Sequence, residues 1–157
     1  MKRLVLIFLL VSGSLFAKVY LTATQLKTKQ LILRIAPHYT KYSYTILAIS
    51  MAESSLGLHV LGDDGNSIGI TQLQVATIRY IAKKDKTLGF LLQYSNAQLT
   101  TFILKNDNLA VIITCKLFEY YRKKYGYFQA ISRYNGGTKN IRYYNKVVNW
   151  RTKLKEK

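Results

Sequence analysis

Residues 46–57, ILAISMAESSLG, decide how the rest of the chain is read. Leu47, Ala48 and Met51 recur at helical spacing, so the stretch predicts a helix with one face in a core. Glu53 stands at its far end, followed by Ser54, Ser55 and a Gly57 able to stop the helix. A carboxylate there is either an incident of a helix terminus or a proton donor held in a poorly hydrated cleft. The remaining sequence has to decide between the two.

The chain has 157 residues, 49% of them hydrophobic, which suits one compact domain with its own core. Residues 1–17 are expected to stand apart as a secretory signal peptide, leaving the domain over 18–157. Lys2 and Arg3 give a positive start, residues 4–11 an unbroken apolar run, and Ser14-Leu15-Phe16-Ala17 a small-residue exit. The uncharged run over 4–17 has 14 residues, short of the ~20 that a spanning helix needs. Cleavage near Ala17 is therefore expected, with no stable membrane anchor. The mature protein is placed in the periplasm or secreted.

The formal charge is +17, and removal of Lys2 and Arg3 leaves +15. Such a surplus attracts polyanions: nucleic acid, anionic lipid or acidic wall polymers. An exported protein seldom meets nucleic acid, so the wall or a membrane surface is the more natural partner. Cys115 is the single cysteine, which rules out an intramolecular disulfide; its apolar surroundings in sequence mark it as a small core residue. His38 and His59 lie 21 apart without a Cys/His pattern, so neither a metal site nor a cofactor is expected.

Along the chain the reading is almost wholly helical. Residues 24–36 form a first amphipathic helix ended by Pro37, and 57–67, with three glycines, two aspartates and an asparagine, form a loop. Helices are expected over 72–84 and over 127–133, the latter broken by Gly136-Gly137, with a short helical turn at 86–94. Another helix starts on the capping-box spacing of 95–98 and runs through Leu104. Asp107 or Asn108 caps the long apolar segment 109–121, and a basic helix closes the chain over 138–155, with Tyr143, Tyr144, Val147 and Trp150 available for packing. No stretch alternates convincingly, so the domain reads as nearly all α.

Three pieces then fall into line: Glu53-Ser54, then Gly69-Ile70-Thr71-Gln72 sixteen to nineteen residues after Glu53, and Tyr134-Asn135-Gly136-Gly137 some eighty residues beyond it. Together they resemble the signature of the soluble lytic transglycosylases, a lysozyme-like family that cleaves bacterial peptidoglycan. The resemblance spans roughly residues 44–150 and implies a mainly α, single lysozyme-like domain with a cleft between helical subregions. It implies Glu53 as general acid/base, Tyr134 as the aromatic whose hydroxyl lies beside that carboxylate, and Ser54, Gln72, Tyr134 and Asn135 at the substrate. Asn108-Leu109 looks like the family's Asn-Ile at the start of a core helix. The implied partner is the peptidoglycan glycan strand. Members this small resemble the specialised transglycosylases that open the wall locally for a secretion or conjugation apparatus.

The chemistry fits these residue types. Breaking a β-1,4 glycosidic bond needs an acid at neutral pH, and a Glu among apolar neighbours such as Ala48, Ile49 and Met51 has its pKa raised, toward ~6. In the family the carboxylate then removes the C6 hydroxyl proton of the same N-acetylmuramyl residue, giving a 1,6-anhydro product from one carboxylate with the substrate's N-acetyl group assisting. The sequence also departs from the family. A serine common about ten residues after the Glu is replaced by Gly62-Asp63-Asp64, Thr71 stands for a hydrophobic residue, and Arg133 for a small one. Ile112 and Cys115 replace a small residue and a frequent Tyr. Asp63 or Asp64 as a second carboxylate would make a lysozyme-type hydrolase. A non-catalytic wall-binding protein on the same scaffold is the third reading.

Overall fold

The computed structural model describes residues 20–62 and 65–155. The expected signal peptide over 1–17 and the carboxylates of Asp63 and Asp64 lie outside the described residues. What is described is mainly α-helical. α1 (Ala23–Ile35) begins on a capping box in which Thr22 and Gln25 satisfy each other's backbone N–H groups. The chain then tightens into a 3-10 turn over Ala36–His38, where Pro37 has no N–H to continue the helix.

α2 (Ser43–Ser54) is the axis of the molecule. Its spacing predicts one buried face, yet every side chain over 45–51 is buried, so the helix is enclosed all round. α7 (Ile141–Lys155) covers it most extensively, through an inward stripe of Tyr143, Val147 and Leu154. α1 and α5 (Asp107–Tyr125) close the other sides. α2 stops in three successive left-handed residues, Ser55 (φ 53°), Leu56 (φ 56°) and Gly57 (φ 83°). Only glycine adopts that conformation freely. Leu56 is held there by complete burial, and Ser55 by its carbonyl, which accepts from Gln25 Nε2 at 3.0 Å.

The expected loop over 57–67 contains a strand after all. β1 (Leu61–Gly62), β2 (Ser67–Ile68) and β3 (Leu73–Gln74) form an antiparallel sheet in that order, with Leu61 opposite Ile68 and Ser67 opposite Gln74. Two-residue strands are too short for alternation to register. α3 (Val75–Lys84) starts three residues later than expected because Leu73 and Gln74 are spent on the sheet.

A 3-10 segment over Lys86–Gln93 leads to α4 (Asn96–Leu104), whose Ser95/Gln98 capping box is formed. The cap of α5 lies one residue before the expected Asp107 or Asn108: Asn106 Oδ1 accepts from the Leu109 N–H at 3.2 Å. α6 (Tyr127–Tyr134) packs on α5 and α7. Cys115 is fully buried in α5; burial, with Glu119 nearby, pushes its thiol up to about 12. No helix among the described residues is long and apolar enough to cross a membrane.

Candidate active site

The turn over 69–72 ties the three motif pieces together. Ser50 Oγ and Ser54 Oγ, one turn apart on α2, both donate to the Ile70 carbonyl, at 2.7 and 2.6 Å. Tyr134 Oη donates to the next carbonyl, that of Thr71, at 2.8 Å. Thr71 itself is fully buried, and its hydroxyl accepts from Thr114 Oγ1 at 2.9 Å. That pair explains the departure at position 71: a buried hydroxyl needs a partner, and α5 supplies one. Gly69 has a φ of 77°, and a Cβ there would meet Ile103 at 3.4 Å.

Glu53 lies in the last turn of α2, partly buried. A carboxylate at this end of a helix stands at the negative pole of the dipole, and α2 has no basic residue in its own last turn. α7 supplies the compensation. Lys146 Nζ donates to the adjacent Ala52 carbonyl at 2.7 Å, and Tyr143 Oη donates to Glu53 Oε1. Burial, and then the Glu53 charge beside it, hold the Tyr143 phenol well above the usual range, so it remains a donor. Tyr134 is raised as well, chiefly by burial, with the Glu53 charge adding to it.

Glu53 and Asn135 line two neighbouring hollows. One, of about 420 Å³, is lined by Gln72, Tyr121, Arg133 and Tyr134; the other, of about 490 Å³, by Asn140, Arg142, Tyr143 and Lys146. These two neighbouring hollows, which share Glu53 and Asn135, make up the groove at Glu53. Gln72 has a left-handed backbone (φ 51°), and its Nε2 donates to the His59 and Gly69 carbonyls at 3.1 and 3.0 Å. Its amide thus braces the hairpin as well as lining the cavity. Asn135 is exposed, and its Oδ1 accepts from Asn140 Nδ2 at 3.0 Å.

Two expected roles change. Ser54 is completely buried, and its oxygen also accepts from the Gly57 N–H at 2.8 Å, so it fastens α2 to the 69–72 turn and does not reach the groove. The hydroxyl bonded to the carboxylate belongs to Tyr143, while that of Tyr134 is committed to Thr71 and Thr114. Tyr143 was legible only as one residue of the α7 packing stripe. A buried tyrosine's need for a hydroxyl partner was the available signal, but sequence does not say which partner.

A larger hollow of about 650 Å³ lies elsewhere, between α1 and the start of α5, with Asn108 in its wall. Among the described residues it contains none of the catalytic candidates, and its one carboxylate there, Asp107, is raised by burial and opposed by Lys27. Size is therefore a poor guide here, and the smaller groove at Glu53 is the better candidate. Among the described residues no three of His, Cys, Asp and Glu converge to hold a metal ion. No protein-family model, curated protein or solved structure matches this chain.

Proposed function

We propose that the chain is an exported, lysozyme-like lytic transglycosylase that cleaves the β-1,4 bond between N-acetylmuramic acid and N-acetylglucosamine, with Glu53 as sole acid/base. The observation carrying this reading is that Glu53, Gln72 and Tyr134, far apart in sequence, line one cavity, with Tyr143 bonded to the carboxylate. A glycan strand laid along the groove crosses Glu53. The acid gives its proton to the glycosidic oxygen, and the N-acetyl group of the muramyl residue stabilises the charge left at C1. The carboxylate, held by the Tyr143 hydroxyl, then takes the proton of the C6 hydroxyl while O6 bonds to C1. Glu53 ends protonated, as it began, and no water is consumed.

The partner is the peptidoglycan strand. Local wall opening for an envelope secretion apparatus is the setting that the family resemblance implies. Mass spectrometry of purified wall digested by the protein tests the reaction. Anhydro-muramyl ends are the expected product. Reducing muramic acid ends would replace the transglycosylase by a hydrolase drawing on Asp63 or Asp64. Co-sedimentation with the wall and no released muropeptides would leave a binding protein.

A further inference from the structure

The cavity on the Gln72 side of Glu53 holds a cation that the reaction scheme leaves unused. Among the described residues lining it, Glu53 and Arg133 are the only charged side chains. Arg133 joins no ion pair and donates no hydrogen bond among the described residues, and its Nε is buried without an acceptor. Yet the group is not loose. Its guanidinium lies 4.0 Å from the centre of the Tyr125 ring, and its charge acts on Tyr121 in the same cavity wall. Stacking on an aromatic face fixes the guanidinium plane without consuming its N–H groups.

A planar cation so fixed, and short of acceptors, matches a carboxylate bidentately. A neutral sugar ring offers no such group. A muramyl unit does: its lactyl ether ends in a carboxylate or continues into an acidic stem peptide. We propose that Arg133, braced on Tyr125 in the wall of the groove, receives a carboxylate of the muramyl unit and makes the groove prefer charged over neutral glycan. The inference rests on the reading of this groove as a glycan site.

Calorimetric binding in a Glu53→Gln background tests it, with three probes: a chitooligosaccharide, peptide-free glycan strands and peptide-bearing strands. Arg133→Gln is expected to lower the charged-to-neutral affinity ratio about tenfold or more, the worth of a hydrogen-bonded ion contact. Arg133→Lys keeps the charge and loses the fork, so its ratio should fall between the two. It also carries the test if the glutamine variant does not fold. A fall already present with peptide-free strands assigns the lactyl carboxylate; a fall confined to peptide-bearing strands assigns the stem peptide. An equal loss for the chitooligosaccharide overturns the proposal. So does the same ratio change in Arg34→Gln, which removes one positive charge at the distant hollow. Arg133-dependent selectivity without wall cleavage by the wild type would sink the proposed activity and uphold this inference. Glu53-dependent cleavage with an unaltered ratio would do the reverse.

Discussion

Replacing Tyr143 by phenylalanine removes one oxygen from the candidate site and nothing else. The ring is 7% exposed in the stripe by which α7 covers α2, and Phe fills the same volume. What disappears is the O–H donated to Glu53 Oε1. A hydrogen bond to a charged acceptor contributes about 1.5–3 kcal/mol, which corresponds to a factor of about 10 to 150. If the bond holds the carboxylate through the step in which it has given up its proton, that factor belongs to turnover. Muropeptide release by Tyr143→Phe should then show kcat reduced by about one to two orders of magnitude, with KM little changed. Thermal unfolding, run alongside, should show a folded protein. A variant that cleaves at the wild-type rate would refute the assignment of Tyr143 as the group that positions the acid. A variant with intact kcat and raised KM would move Tyr143 from the carboxylate to substrate binding.

Three further outcomes follow from the same geometry. Ser54→Ala should lose about 1–3 kcal/mol in urea unfolding because the Gly57 N–H loses its acceptor; unchanged stability with weakened glycan binding would return Ser54 to the substrate. Gly62→Ala should lower both stability and wall cleavage, since the new Cβ would lie 2.2 Å from Gln72 Oε1 and must displace an amide bonded to two backbone carbonyls; wild-type behaviour on both counts would refute that. The third outcome concerns alkaline pH. Tyr143 and Tyr134 are raised in the folded state, so their stabilisation is complete below the unfolded phenol value of about 10 and is lost as pH rises toward their folded values. Each should contribute a fall of about 1.4 kcal/mol per pH unit above about 10, and each Tyr→Phe should remove one such contribution. Chemical denaturation from pH 9 to 11 reads the slope, and a slope as steep as the wild type's in both variants would contradict it.

Most of the helical plan was legible because it rests on local signals. Pro37, the Ser95/Gln98 box and the break at 136–137 are properties of a few adjacent residues, and helices begin or end at each. What misled was anything decided by distant partners. The apolar spacing of 46–57 implied one buried face, but burial on all sides depends on α7, nearly a hundred residues away. Asn106 rather than Asp107 caps α5 because three adjacent polar residues can each cap, and backbone geometry selects among them.

The candidate site divides in the same way. Glu53, Gln72 and Tyr134 carried recognisable spacing, and all three line one cavity. Ser54 carried the same spacing for a different reason, since its hydroxyl holds the helix end that presents Glu53. Tyr143 and Lys146 sit in a basic helix whose sequence reads as packing and solvated charge. Only the crossing of α7 over the end of α2 brings them to the carboxylate and its neighbouring carbonyl.

The central claim is that one carboxylate does the chemistry, and Glu53→Gln on purified peptidoglycan tests it most directly. The amide oxygen can still accept from Tyr143, so the fold and its melting temperature should be nearly those of the wild type, while no proton remains to give. Wild type should release muropeptides with 1,6-anhydro ends, and Glu53→Gln should release them at least ~10²-fold more slowly. A folded Glu53→Gln protein that opens the wall as fast as the wild type would contradict the account.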